Sequence, residues 1–193
     1  MKQDRSRRTR ERILDEAAAQ FTTHGYAHTT VQDIARRVGM TKGAFYGQFD
    51  SKEAVADALK DHGLARIEGL SALAREDDPL SALGRFVVGL AQCLHDDVRL
   101  RAAFRLLTDE AEAQPPGHPL GKVVEQVVGM VERAQRDGRI AAGHAPGDVT
   151  RLLLCMAFAA QTMSFTAGGE HRPGAWATWA WGRVSRSLHE APS

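Results

Sequence analysis

Apolar residues recur at three- and four-residue spacing along almost the whole chain, and this regularity limits the fold more than any other feature. The spacing matches the α-helix, and no alternation of β-branched residues persists over the length of a strand. Clusters of turn-forming residues interrupt the pattern at residues 76–79, 114–119 and 168–169. The sequence therefore predicts an all-α protein with about nine helices.

The N-terminal part of the chain carries the start and stop signals of three helices. A first helix is predicted over about residues 9–24. Thr30 has the hydroxyl that an N-terminal cap requires, so a second helix is expected to begin directly after it. Gly39 can adopt the left-handed conformation of a tight turn, and Thr41 can cap a third helix over residues 42–49.

The remaining chain predicts a longer series of helices. The run Asp50-Ser51-Lys52-Glu53 is a capping signal for a fourth helix that reaches about residue 75, and Pro79 suits the first position of the next helix with Asp78 as its cap. Two domains are therefore expected, at residues 1–50 and 51–193. Further helices are predicted at about residues 98–112, 120–137, 147–167 and 173–189.

Basic residues are concentrated at the N-terminus. The first twelve residues contain Lys2, Arg5, Arg7, Arg8, Arg10 and Arg12. A basic arm ahead of a helical domain suits the neutralisation of DNA phosphates, and a solvated tail without a partner is the alternative. The chain beyond residue 60 is slightly acidic, so the charge distribution favours a nucleic-acid partner for the N-terminal domain.

Two short helices joined by a tight turn, braced by a longer first helix, have the dimensions of a helix-turn-helix, whose second helix enters the major groove of DNA. Residues 9–55 read TRERILDEAAAQFTTHGYAHTTVQDIARRVGMTKGAFYGQFDSKEAV. This run closely resembles the DNA-binding domain of the TetR family of repressors. The resemblance is carried by Ile13, Ala17, Phe21, Gly25, Thr30, Ile34, Ala35, Gly39, Lys42, Tyr46, Phe49 and Lys52.

The resemblance implies a DNA-contacting surface on and beside the third helix. Lys42 is expected to reach a guanine edge or a phosphate, and Thr41 and Tyr46 to contact phosphates. Gln48 stands where many members of the family carry His or Arg, and it could read an adenine or only contact a phosphate. The expected contacts with double-stranded operator DNA are Arg5, Arg8, Thr30, Thr41, Lys42, Gly43, Tyr46, Gln48 and Lys52.

Further segments are similar to one branch of this family, the γ-butyrolactone autoregulator receptors of actinomycetes. They are residues 2–5, 9–10, 40–46, 97–102 and 157–164. That branch controls antibiotic production and morphological differentiation. The resemblance implies a ligand-responsive repressor that a small-molecule inducer releases from a pseudo-palindromic operator.

One position departs from that branch. Its members commonly have Pro-Tyr-x-x-Trp at the start of the helix after the proline-rich loop, and the aligned residues here are Pro119-Leu120-Gly121-Lys122-Val123. Val123 in place of an indole enlarges the cavity and removes its N–H donor. The expected ligand is therefore a γ-butyrolactone or a larger molecule, such as a related furan or butenolide or an antibiotic intermediate.

The helices after residue 80 carry more large apolar side chains than one helix seam requires, so they are expected to enclose a ligand cavity. Gln126 and Gln161 are its expected polar anchors. A solid core explains the same pattern, which leaves a ligand-independent architectural DNA-binding protein as one alternative. A sensor of an antibiotic or another lipophilic compound, which would use the cavity, is the other. The expected lining is Phe86, Leu90, Phe104, Val123, Gln126, Val127, Phe158 and Gln161.

The last two predicted helices are apolar around more than one face. A monomer would expose a sizeable apolar patch there, so burial between two copies in a two-fold seam is expected. Packing within one chain explains part of the pattern. The residues assigned to the homodimer interface are Leu153, Met156, Ala160, Met163, Trp176, Trp179 and Val184.

No group of residues predicts an enzyme, a cofactor or a metal site. The histidines are scattered, and Cys93 with His95 is too sparse for a metal cage. Both cysteines, Cys93 and Cys155, are expected in the core. No segment approaches the roughly 20 apolar residues of a membrane-spanning helix, so the expected location is the cytoplasm.

Overall fold

The computed structural model describes residues 2–73, 78–111, 117–163 and 173–190, except for the side chains of residues 2, 73, 111, 161–163 and 173. Regular secondary structure in these residues is entirely α-helical, which confirms the predicted fold class. None of the described helices is long and apolar enough to cross a membrane. The helices are α1 Lys2–His24, α2 Val31–Val38, α3 Lys42–Tyr46, α4 Lys52–Leu73, α5 Pro79–Asp96, α6 Val98–Ala111, α7 Pro119–Arg136, α8 Pro146–Met163 and α9 Pro173–Ser187.

These helices form two compact units. Unit 1 contains Met1–Arg66 with Asp97–Pro116, and unit 2 contains Ile67–Asp96 with Gly117–Ser193. Most of α4 therefore belongs to unit 1 and its last turns to unit 2, whereas α6 belongs wholly to unit 1. The predicted boundary after residue 50 concerns which part of the chain binds DNA, and it stays a prediction.

The core of unit 1 forms where α1 packs against α2 and α6 and where α2 packs against α3. Its side chains are mostly apolar residues that recur at three- and four-residue spacing along these helices. They are shielded from water, and this burial is the main favourable contribution to the stability of so small a unit. The largest fully buried members are Ile13, Phe21, Ile34, Phe45 and Leu59.

α1 is longer than predicted. It begins at Lys2, so the predicted start near Thr9 is wrong and the basic arm is helical. Contacts with the segment after α3 explain the extension. Ser6 Oγ donates a hydrogen bond to Gln48 Oε1 at 3.2 Å, and Arg10 Nη1 donates to the Gln48 carbonyl oxygen at 2.8 Å.

The predicted signals around α2 and α3 are confirmed. The Thr30 hydroxyl accepts a hydrogen bond from the amide of Asp33 at 3.2 Å, and the Thr41 hydroxyl accepts one from the amide of Ala44 at 3.2 Å. Gly39 adopts the left-handed conformation, with φ 74° and ψ 37°. These three residues set where the two short helices begin and how sharply the chain turns between them.

α5 is the central helix of unit 2, because it packs against α7, α8 and α9. Asp78 caps it as predicted, since Asp78 Oδ2 accepts a hydrogen bond from the amide of Ser81 at 3.0 Å. α5 and α9 lie close together at Gly84, where the indole of Trp181 lies against the backbone. The buried stripe of α5 includes Leu83, Phe86, Val87, Leu90 and Leu94.

Neither cysteine is buried in the core. Cys93 is partly exposed and Cys155 is exposed, so the expected core positions of both are wrong, and the difference is larger for Cys155. The reason is the helical phase of α8. Leu153 and Met156 are buried on the inner side of that helix, which turns Cys155 outward.

The close contact at Gly84 gives a stability prediction. Gly84→Ala is expected to destabilise the protein by about 1–3 kcal/mol, because the added methyl group would overlap the Trp181 indole. Gly129→Ala in α7 is the matched control, since no other atom lies within 4 Å of its added Cβ. Thermal unfolding is the measurement, and equal melting temperatures for the two variants would show that the α5–α9 contact is not tight.

Candidate nucleic-acid interface

α3 has a buried side and an exposed side. Phe45 has no exposed surface and anchors the helix in the core of unit 1. Thr41, Lys42, Gly43 and Tyr46 are exposed, and Tyr46 exposes 45% of its surface. Four of the predicted DNA contacts therefore lie on one accessible segment.

The exposed side of α3 combines a cation, a phenol and bare backbone. Lys42 Nζ lies 5.8 Å from the centroid of the Tyr46 ring. A Cβ added at Gly43 would meet only Thr41 Oγ1, at 4.0 Å, so the fold itself does not require glycine there. What glycine permits at this position is the close approach of another molecule to the backbone. Such a surface suits contacts with phosphates and base edges.

Thr30 is exposed at the start of α2. Its hydroxyl donates to Asp33 Oδ2 at 2.6 Å, and this hydrogen bond is the main reason why the pKa of Asp33 lies below its ordinary value. Arg36 lowers the Asp33 pKa further through a 2.7 Å ion pair. The cap thus fixes the first turn of α2, and the phosphate contact of Thr30 stays a prediction.

Lys52 has a structural role that sequence reasoning missed. Its ammonium group donates to the carbonyl oxygens of Tyr26 and Thr29, at 2.8 Å each, and lies 4.0 Å from the centroid of the Tyr26 ring. Two of its three N–H donors therefore join the start of α4 to the turn after α1. Its predicted phosphate contact would rest on the third donor, and it stays a prediction.

Arg5 and Arg8 are exposed on the first turns of α1. Their neighbours on this helix hold unit 1 together. Arg12 Nη2 donates to the Val38 carbonyl oxygen at 2.8 Å, which joins α1 to the end of α2, and the Arg10 guanidinium lies 3.8 Å from the Phe49 ring centroid. Sequence reasoning counted Arg10 and Arg12 as charge alone, although an arginine can also stack and donate to carbonyls.

The residues predicted to line a ligand cavity are divided between the units. Phe104 lies on α6 in unit 1, and the other described members lie in unit 2. Phe86, Leu90, Val123 and Val127 are buried, whereas Gln126 and Phe158 are partly exposed. The side chain of Gln161 lies outside the described residues. The cavity stays a prediction.

Two concave surfaces of unit 2 lie between α5 and α9. One has a volume of about 650 Å³ and the other of about 470 Å³. Both are lined by Val88, Gln92 and Thr178, and neither includes a residue of the predicted cavity lining. The described clefts are therefore at a different place from the predicted ligand site.

The residues predicted for a dimer seam differ in exposure. Leu153, Met156 and Ala160 are buried within the chain, so they have little surface left for a second copy. Trp176 and Val184 are partly exposed, and Trp179 exposes 59% of its surface. The side chain of Met163 lies outside the described residues. Leu152 of α8, one of the apolar residues for which the sequence favours burial in the seam, is 50% exposed.

Comparison with known proteins places the chain in a family. Residues 13–59 match the model of the bacterial regulatory proteins of the tetR family. The chain belongs to the TetR family. This match contains α2 and α3 whole, together with the buried part of α1 and the start of α4.

Similar TetR-family proteins include γ-butyrolactone receptors. The A-factor receptor protein of Streptomyces griseus is 33% identical over 139 residues, which cover 72% of this chain and 49% of that protein. A solved γ-butyrolactone receptor, an ArpA-like protein, is 26% identical with a TM-score of 0.74, covering 95% of this chain and 98% of the receptor. The repressor BepR of Brucella suis biovar 1 is 27% identical over 161 residues, covering 77% of this chain and 76% of that protein. The chain spans about half the length of the first curated relatives that it matches.

The position of Lys52 predicts a loss of stability when its charge is removed. Lys52→Met is expected to lower the free energy of unfolding by about 1–3 kcal/mol, because the Tyr26 and Thr29 carbonyl groups lose their donor. Lys42→Met, on the exposed side of α3, is the control and should unfold like the wild type. Denaturant unfolding measures both, and a Lys52→Met protein as stable as the control would contradict the structural role.

Proposed function

We propose that this TetR-family chain is a ligand-responsive transcriptional repressor, which binds a pseudo-palindromic operator as a homodimer and is released by a small signalling molecule. The observation that carries the proposal is the exposed side of α3. Its cation, its phenol and its unobstructed glycine face outward, while Phe45 and the Thr41 cap hold the helix in place. This is the arrangement that a recognition helix needs in a major groove.

The proposed contacts divide into those that specify sequence and those that supply affinity. Lys42 stands near the start of α3, where a recognition helix contacts base edges, so it is assigned to a guanine edge. Tyr46, one turn further, is assigned to a phosphate. Arg5 and Arg8 add sequence-independent attraction from α1, and their contribution should weaken as salt increases.

Gly43 provides the sharpest test of the α3 surface. Gly43→Ala should leave the melting temperature unchanged or slightly raised, because alanine is the better helix former and the added methyl group has open space. Operator affinity should nevertheless fall, since the methyl group would lie where DNA approaches. Gly129→Ala should keep wild-type affinity in the same gel-shift titration. If Gly43→Ala and the wild type had equal operator affinity, the exposed side of α3 would not be the surface that enters the groove.

The homodimer is proposed to form through α8 and α9, which pack against each other in unit 2. Leu152 and Trp179 are large apolar side chains that are half or more exposed. Together with the partly exposed Trp176 and Val184 they form the proposed seam, whereas the buried Leu153, Met156 and Ala160 support it from within. A two-fold dimer presents two recognition helices, so the operator should contain two related half-sites.

The ligand is proposed to be a γ-butyrolactone, furan or butenolide that controls antibiotic production. The similarity to the A-factor receptor and to a solved γ-butyrolactone receptor supports this ligand class. The site is proposed near Val123, on the buried side of α7. α4 is the proposed coupling element, because it starts at Lys52 in unit 1 and its last turns belong to unit 2. By linkage, operator DNA should weaken ligand binding by the factor by which ligand weakens DNA binding, typically about 5- to 150-fold.

Val123→Trp tests the ligand site. The indole would reduce the space beside α7 and add an N–H donor, so the variant should respond to a different set of inducers. Its ligand-free operator affinity should equal that of the wild type. The measurement is operator release during titration with γ-butyrolactone, furan and butenolide compounds. Identical inducer profiles would place the ligand elsewhere, and release by none of the compounds from either protein would favour a ligand-independent DNA-binding protein.

A further inference from the structure

The first turns of α1 hold Gln48 at two points. Ser6 Oγ donates to Gln48 Oε1 at 3.2 Å, and Arg10 Nη1 donates to the Gln48 carbonyl oxygen at 2.8 Å. Ser6 and Arg10 are four residues apart, so they lie one above the other on the same side of α1. One side of the arm therefore faces the end of α3.

Arg10 is itself held in place. Its guanidinium lies 3.8 Å from the centroid of the Phe49 ring, and Phe49 is almost fully buried. The backbone of Gln48 is thus fixed by an arginine that is stacked on the core. Rotation of the Gln48 side chain is then limited by the hydrogen bond from Ser6.

In the structure the oxygen end of the Gln48 amide lies next to the Ser6 hydroxyl. Oε1 accepts from the serine hydroxyl, so the NH₂ group with its two donors is the other end. Among the residues that the structure describes, none accepts a hydrogen bond from Gln48 Nε2. The segment after α3 therefore presents hydrogen-bond donors on its accessible side.

This orientation limits what Gln48 can recognise in DNA. Glutamine reads adenine with both ends of its amide, since Oε1 accepts from N6 and Nε2 donates to N7. An amide whose oxygen is turned towards Ser6 presents its NH₂ donors to another molecule, and these match N7 and O6 of guanine, N7 of adenine, O4 of thymine and phosphate oxygens.

We propose that Ser6 and Arg10 are positioning residues for DNA recognition, which turn the Gln48 amide so that its NH₂ group donates to an acceptor on the operator. The inference rests on the proposed DNA-binding function. In this proposal the N-terminal turns of α1 help to recognise the operator sequence, besides attracting DNA through their positive charge. The proposal also argues against the two-bond recognition of adenine by Gln48, because that recognition needs Oε1 as well as the NH₂ group.

The test compares Ser6→Ala, Gln48→Ala and the double variant in the full-length protein. Thr9→Ala is the matched control, because the Thr9 hydroxyl bonds to the Arg5 carbonyl oxygen of its own helix. Each protein selects duplexes from a library that is randomised across one half-site, and affinities for the wild-type selection are then measured. Ser6→Ala and Gln48→Ala should each lose about three- to tenfold in affinity, the size of one hydrogen bond. The double variant should lose no more than Gln48→Ala, since both changes remove the same contact.

The pattern of selected sequences identifies the acceptor. A preference for guanine or thymine at one position that is lost in both single variants indicates a base edge, and an equal loss on all sequences indicates a phosphate. Wild-type affinity for Ser6→Ala, additive losses in the double variant, or a selected base that Gln48→Ala no longer prefers but Ser6→Ala prefers as strongly as the wild type would overturn the proposal. If the wild type selects no sequence at all, the proposed DNA-binding function itself fails.

Arg10 is tested separately, because its removal also uncovers Phe49. Arg10→Lys keeps the positive charge but loses the planar group that stacks and donates. It should shift the selected sequence at the position that Ser6→Ala affects, with a melting temperature close to that of wild type. An unchanged selection in a folded Arg10→Lys protein would limit the positioning role to Ser6 and would overturn the part assigned to Arg10.

Discussion

A helix as short as α3 is not stable by itself in water, so its structure depends on contacts with the rest of unit 1. Helices below about 12–15 residues are marginal in isolation, and α3 spans only Lys42–Tyr46. Its order comes from the Thr41 cap and from Phe45 and Phe49, whose ring centroids lie 6.2 Å apart in the core. Arg10 of α1 covers the outer side of this core, because its guanidinium stacks on the Phe49 ring. The buried side of α3 thus holds the helix in place, and its exposed side is left for the proposed contact with DNA.

Contacts from outside the helix-turn-helix also hold α1 in place, and they come from α6. Arg99 of α6 donates to Asp15 at 2.7 Å and to Glu11 at 2.6 Å, and Arg105 donates to the Thr22 carbonyl oxygen at 2.7 Å. These contacts fix α1 along most of its length. α6 therefore belongs to the same unit as α1, α2 and α3, although it is far from them in the chain. A movement of α6 would change the position of α1, and through Arg10 the setting of α3.

Local signals in the sequence were sufficient for most of the fold. Thr30, Gly39 and Thr41 act within four residues of themselves, so caps and turns could be read directly. The positions of Lys52 and Cys155 could not be read in this way. Lys52 bonds to carbonyl groups more than 20 residues away, and the outward turn of Cys155 depends on which side of α8 faces α5. Contacts of this kind join distant parts of the chain, and periodicity carries no information about them.

The central claim is that α1 and α3 act as one element when DNA binds. Amide hydrogen exchange of the full chain, with and without its selected operator duplex, tests this most directly, because exchange reports local opening. The account predicts that residues 3–10 and α3 gain protection together on adding the duplex, and that Ser6→Ala reduces this gain in both segments. Protection that appears in α3 while residues 3–10 exchange as in the free protein would contradict it.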